Sequence, residues 1–320
     1  MPFFRNSSSI RSALIGLLLC ASASLAQEAT IPPTKTDDRN RTIKLNVIVT
    51  DSANRAVTDL QQEEVRVFED GKQQAVTHFS REELPVSYGI VVDSSGSMRV
   101  LLNHIVEAGR GVVSGNKPGD ETFILRFTDS NNIHIEQGFT ANRFALEEAL
   151  DNIYVEGGLT AVMDAINSSV DYLKKNQRSA EGAAASRRQA IVLISDGEDR
   201  GSRARNQDAL LNRLRDEDAQ FFIIGLSKLS SLQGSREKAM RFLARVAEVS
   251  GGRAFFPGSV SEIPGIVDEI KRDLHTQYVI GYTSTNMIRD GSFRKVQVTV
   301  PDSAGRRKLN VSTRSGYSAR

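Results

Sequence analysis

VSYGIVVDSSGSM, residues 86–98, is the stretch on which the fold turns. Val86 to Val92 reads as a continuous apolar strand of the kind buried on both faces, and such strands belong to parallel sheets covered by helices. Working outward, further strands are expected at 122–128 (TFILRFT), 190–195 (AIVLIS), 220–226 (QFFIIGL) and 253–256 (RAFF). A more polar run at 132–136 (NIHIE) suits a sheet edge. Helical patterns separate them at 98–113, 142–153, 160–175, 206–216, 236–249 and 260–275. This strand–helix order predicts an α/β fold, a doubly wound and mostly parallel Rossmann-like sheet.

Three short segments sit at strand ends or helix starts. Asp93-Ser94-Ser95-Gly96-Ser97 follows the first strand, Gly157-Gly158-Leu159-Thr160 opens the helix at 160–175, and Asp196-Gly197-Glu198-Asp199 follows the strand at 190–195. In a doubly wound sheet, residues just past the carboxyl ends of strands converge in one crevice. The three segments offer hard oxygen donors, which suit Mg²⁺, Mn²⁺ or Ca²⁺ and not a thiophilic metal. The alternate spacing of Asp93, Ser95 and Ser97 lets a tight loop turn all three inward.

Asp93-x-Ser95-x-Ser97 resembles the metal ion-dependent adhesion site of von Willebrand factor A domains. The resemblance implies that Ser95 and Ser97 ligate a metal, and the expected ion is Mg²⁺, with Mn²⁺ or Ca²⁺ as alternatives. It further implies that Thr160 ligates directly or through water, that Asp196 holds metal-bound water, and that Asp93 ligates or anchors coordinated water. One position would remain for a Glu or Asp of a protein partner. Residues 49–80 (VTDSANRAVTDLQQEEVRVFEDGKQQAVTHFS), 84–98 (LPVSYGIVVDSSGSM) and Ser315-Gly316-Tyr317 extend the likeness to bacterial secreted "VWFA-related" proteins. Glu198, Asp199 and Asp129 read as solvated loop acids near the rim.

The flanks have a different rhythm. Ile43, Leu45, Val47 and Val49 alternate with polar residues, and 65–68 and 75–79 flank Asp70-Gly71, a hairpin signal because glycine accepts the positive φ such turns need. After residue 276, strands are expected around 278–282, 296–300 and 309–311, with a turn at 303–305. Each flank is small for a core of its own, so both ends are expected to form one β-rich module. The expected organisation is a signal peptide over 1–26, a linker over 27–41, β-rich flanks over 42–82 and 277–320, and the α/β domain over 83–276. Stretches 178–188 and 227–235 read as surface loops.

Residues 1–26 have the layout of a secretory signal: Arg5 and Arg11, a short apolar run over 13–21, and small residues at Ser24 and Ala26 before Gln27. Export to the periplasm or beyond is the expectation. Leu19 precedes Cys20, which argues against a lipid anchor there, and cleavage after Ala26 would leave no cysteine for a disulfide. The 41 basic and 39 acidic residues become 39 of each once Arg5 and Arg11 are removed. A balanced charge gives no electrostatic reason to expect nucleic acid or an anionic membrane as partner.

Three functional classes are compatible with these features. A metal-dependent binding module needs no general base and fits best. A metal-dependent hydrolase lacks support, since no His lies in the three segments and no G-x-S-x-G elbow is present. A cell-envelope structural or assembly protein, docking through its β module, is the other alternative. No catalytic residue is assigned, and the expected partner is a protein presenting Glu or Asp.

Overall fold

A computed structural model describes residues 42–81, 83–177, 187–230, 235–301 and 308–320. The expected signal peptide, the linker, most of the loop at 178–188 and the turn at 303–305 lie outside the described residues. Among the described residues, no helix is long and apolar enough to cross a membrane.

The chain opens with four flank strands: β1 (Thr42–Thr50), β2 (Arg66–Glu69), β3 (Lys72–Gln74) and β4 (Val76–Ser80). The α/β part follows with β5 (Val86–Asp93), α1 (Leu102–Val113), β6 (Glu121–Phe127), β7 (Ile133–Thr140), α2 (Arg143–Asp151) and α3 (Val162–Gln177). It continues through β8 (Arg188–Ser195), α4 (Gln207–Arg215), β9 (Gln220–Gly225), α5 (Arg236–Ser250), β10 (Arg253–Phe255) and α6 (Ile263–His275). Four strands close the chain: β11 (Tyr278–Thr283), β12 (Phe293–Thr299), β13 (Asn310–Ser312) and β14 (Gly316–Ser318).

The central sheet has the order β10-β9-β8-β5-β6-β7. All neighbours are parallel except β7, which runs antiparallel to β6 at the edge. Alternation explains why the strands are apolar throughout. Ile90, Val92, Val192 and Ile194 face a cluster containing Ile105 and Val112 of α1 and Ile266 and Ile270 of α6. Val91, Ile191 and Leu193 face Val162 and Ile166 of α3, Leu210 and Leu214 of α4 and Leu243 and Val246 of α5. Each strand thus supplies two core faces, and burial of a Val, Leu or Ile side chain contributes about 1.5–3 kcal/mol.

The chain runs from β5 outward to β6 and β7, then returns through α3 to β8 on the other side of β5. The order of strands therefore reverses between β5 and β8. This is the switch point where an open α/β sheet leaves a crevice beyond its strand ends.

The two flanks form two four-stranded sheets, β13-β1-β11-β4 and β14-β12-β2-β3. Each mixes strands from the beginning and end of the chain, and the two share one core of Leu45, Val47, Val67, Ile280, Tyr282 and Val298. Small flanks thereby obtain a core that neither could build alone.

The hairpin differs from its sequence reading. Asp70 (φ 48°) and Gly71 (φ 80°) do make the turn, but the returning strand is β3, with Lys72 opposite Glu69. The segment at 75–79, expected as that return strand, instead crosses to the other sheet, where β4 pairs with β11. Packing decides this: Phe79 stacks on Tyr278 with ring centroids 5.3 Å apart. Two expected helices also begin later than their apolar pattern. Short 3₁₀ turns at Gly96–Leu101 and Val260–Glu262 precede α1 and α6. The strand β14 was not expected from the sequence.

Candidate metal centre

The first loop leaves β5 at Asp93, whose carboxylate is fully buried. Its Oδ1 accepts the Ser95 backbone N–H at 3.0 Å, and its Oδ2 accepts the Ser195 hydroxyl at 2.7 Å. One carboxylate therefore organises its own loop and clamps the end of β8. Ser95 is buried, and its Oγ lies 3.1 Å from that of half-buried Ser97. The 3₁₀ turn after Ser95 keeps both hydroxyls beside each other before α1 begins.

The second loop meets the first through its backbone. Glu156 N–H donates to Ser94 O at 3.2 Å, and Ser94 is itself held to the end of β6 through Phe127 O. Gly158 has φ 116°, and a Cβ there would lie 3.0 Å from Thr128 Cγ2 and 3.2 Å from Asp129 Oδ2. A side chain at that position would meet both strain and crowding. Arg126, buried on β6, bonds Glu136 and Glu156 at 2.7 Å each and lies under the Tyr154 ring at 4.7 Å. Arg126 is buried while both glutamates reach solvent, so the pairs hold the approach to the second loop mainly by satisfying the buried guanidinium.

Asp196 in the third loop is fully buried. Its Oδ1 accepts Glu198 N–H at 3.0 Å, whereas its Oδ2 is buried with no hydrogen-bond partner among the described residues. The Ser97 and Ser230 hydroxyls lie close enough to favour its charged form without closing a bond to Oδ2. Burial raises the Asp196 carboxyl above the ordinary range. Burial also pushes Asp93 up to about 7, with the neighbouring Asp196 charge as the second cause. Two carboxylates share a dry site and repel each other, which a cation placed among them would reverse.

Thr160 is buried at the start of the segment leading into α3. Its carbonyl accepts the N–H groups of Arg200 and Gly201, each at 2.9 Å, which fastens the second loop to the third. The structure thus brings all three segments to one crevice: Asp93, Ser95, Ser97 and Asp196 by side-chain proximity, and Thr160 through the backbone. Of the rim acids read as solvated, none is idle. Asp129 receives Asn131 N–H and the Asn132 amide, which hold it below the usual carboxylate range. Glu198 is nearly buried and pairs with Arg200. Asp199 Oδ2 accepts Met163 N–H at 2.8 Å and the Ser202 hydroxyl at 2.7 Å.

Four participants escaped the sequence reading. Ser195 clamps Asp93, and Asp164 accepts Ala204 N–H at 3.0 Å and Arg203 N–H at 2.7 Å. Ser227, in a stretch read as a surface loop, is fully buried and donates to Asp196 O at 2.5 Å. Ser230 is buried close by. The available signal was position: 227–230 also follow the carboxyl end of a parallel strand, β9, and so enter the same crevice.

The donor chemistry fits a small hard cation. Among the described residues, no group of three His, Cys, Asp or Glu side chains is arranged to hold a metal, so a set built on the two aspartates needs other oxygen donors, which the neighbouring hydroxyls can supply. Within this crevice, Asp196 Oδ2 is a buried carboxylate oxygen without a hydrogen-bond partner among the described residues.

Residues 89–198 match the family model described as von Willebrand factor type A domain. No curated protein matches the sequence significantly. Among solved structures, the conserved hypothetical protein BatB from Bacteroides thetaiotaomicron is 18% identical, with 59% of this chain and 98% of that one covered and a TM-score of 0.43. A von Willebrand factor type A protein from Catenulispora acidiphila is 10% identical, with 85% and 70% covered and a TM-score of 0.48. Proximal thread matrix protein 1 from the mussel byssus, solved with a zinc-occupied MIDAS motif, is 14% identical, with 61% and 49% covered and a TM-score of 0.46.

Proposed function

We propose, from the premise that this chain carries a von Willebrand factor type A domain, that it is an exported, non-enzymatic binding protein. It captures an acidic side chain of a protein partner through a divalent cation. Asp93, Ser95, Ser97, Thr160 and Asp196 are the residues proposed to hold that cation. Mg²⁺ is the proposed ion, with Mn²⁺ and Ca²⁺ as alternatives of the same hard class. When bound, the cation supplies a fixed positive charge with a coordination position open to an external carboxylate.

The single observation that carries this reading is buried Asp196 Oδ2, without a hydrogen-bond partner among the described residues, beside buried Asp93 and the Ser97 hydroxyl. The chain's own residues do the rest. Ser195 and the Ser95 N–H fix the Asp93 carboxylate, Asp199 and Asp164 fix the third loop against α3, and Glu156 fixes the second loop against the first. A site rigid before binding loses little entropy when a partner docks. No histidine stands among these groups to act as a general base, which supports binding over hydrolysis.

Export is proposed from residues 1–26, with removal of the segment before Gln27. The test of function is capture of partners from native extract with Mg²⁺ or with EDTA, by the wild type and by Ser97→Ala. Recovery of a partner that EDTA and Ser97→Ala both abolish is expected. Capture that persists undiminished in EDTA and in Ser97→Ala overturns the metal-dependent reading and favours docking through the β module.

A further inference from the structure

Beside the third loop runs an open groove of about 810 Å³ that the metal site does not use. It begins at Gly197, next to Asp196, and passes between the segment carrying Arg205 and the first turns of α5. Ala239 and Phe242, both buried, contribute apolar lining.

Its charges do not cancel locally. Glu198 is engaged by Arg200, and Asp199 accepts Met163 N–H and the Ser202 hydroxyl while keeping its charge. Asp208 faces Arg245 at 3.9 Å. That leaves Arg205 and Lys238, both exposed and both without an ion-pair partner among the described residues. Arg200, Arg205, Lys238 and Arg245 therefore outnumber the acids Glu198, Asp199 and Asp208 in an open groove whose lining reaches Gly197, the chain neighbour of Asp196. Such an arrangement attracts anionic chain and disfavours neutral or basic competitors.

We infer that the partner presents an acidic segment, with one carboxylate on the cation and further carboxylates lying along the groove against Arg205 and Lys238. This rests on the reading of the metal site given above and specifies the partner for it. Arg205 and Lys238 act here as specificity determinants. Neither side chain takes part in the hydrogen bonds given above for the three loops, so replacing them should leave cation binding intact.

The experiment measures fluorescence anisotropy with the full chain in Mg²⁺ and two labelled peptides: a short oligoglutamate, and an equally long Gly-Ser peptide with one central Glu. Oligoglutamate is expected to bind roughly tenfold more tightly. The double variant Arg205→Glu/Lys238→Glu should erase that advantage and leave the single-Glu peptide unchanged, while Ser97→Ala should weaken both. Undiminished oligoglutamate affinity in the double variant, with Ser97→Ala still weakening both peptides, overturns the groove inference and leaves the metal reading standing. Oligoglutamate binding that ignores EDTA and Ser97→Ala but is lost in the double variant overturns the metal reading instead. Failure of both peptides to bind overturns the two together.

Discussion

Asp93 and Asp196 are costly residues to bury together, and their cost has a measurable sign. Burial and the Asp196 charge place the folded Asp93 carboxyl at about 7, above its ordinary value of 3.8. An acid raised on folding binds its proton more tightly in the native state, so the stability it contributes is present at low pH and lost as pH rises through the folded value. In EDTA, the melting temperature is therefore expected to fall between about pH 4 and pH 7. Asp196→Asn should flatten that slope, because it removes the neighbouring charge. Thermal melts over this range check both expectations, and a wild-type profile that rises or stays flat would count against the shared buried charge. Saturating Mg²⁺ should raise the wild-type melting temperature near neutral pH, a ligand held a hundredfold above Kd being worth about 2.7 kcal/mol. Asp93→Ala should not respond.

Among the elements, α3 depends on a residue that does not belong to it. Asp199, in the loop after β8, accepts the Met163 N–H in the first turn of α3. It therefore does the work of a cap supplied from a distant loop. Loss of a capping side chain typically costs about 1 kcal/mol. Asp199→Ala is expected to lower unfolding free energy by about that amount. It should also weaken Mg²⁺ binding, since the same loop carries Asp196; Asp199→Asn should retain part of both. Chemical denaturation with and without Mg²⁺ measures the two effects separately. Equal denaturation midpoints for wild type and Asp199→Ala would show that α3 does not rely on this contact.

At the scale of the whole chain, the early and late flanks are joined through Glu69. This residue of β2 is almost fully buried, and its carboxylate accepts the hydroxyls of Tyr282 at 2.8 Å, Tyr317 at 2.9 Å and Ser284 at 2.5 Å. Tyr282 lies on β11 and Tyr317 on β14, so one side chain of the early flank ties down two strands of the late flank. Glu69→Ala would leave buried hydroxyls unsatisfied at about 1–3 kcal/mol for the group. The expected outcome is a lower melting temperature and faster proteolysis of the residues after β12, read by limited digestion and mass spectrometry. Tyr317→Phe should show a milder version of the same change. A second tie, between His275 Nε2 at the end of α6 and Asp120 at 2.7 Å, holds the last helix to the segment before β6.

Local pattern alone was enough for the central sheet, its six helices and the meeting of three loops. Continuous apolar strands alternating with helices admit few other arrangements, and loops at the carboxyl ends of parallel strands must share one crevice. The resemblance of Asp93-x-Ser95-x-Ser97 to a known metal site then singled out five candidate ligands. What the residues could not disclose were contacts between groups far apart in the chain: Ser195 on Asp93, Ser227 under Asp196, Asp199 at the start of α3, and the crossing of β4 to β11 instead of its hairpin neighbour. A serine or aspartate in a loop looks the same in sequence whether solvent or a buried carbonyl is its partner. Only packing decides which, because an unpartnered polar group is costly in the interior and nearly free at the surface.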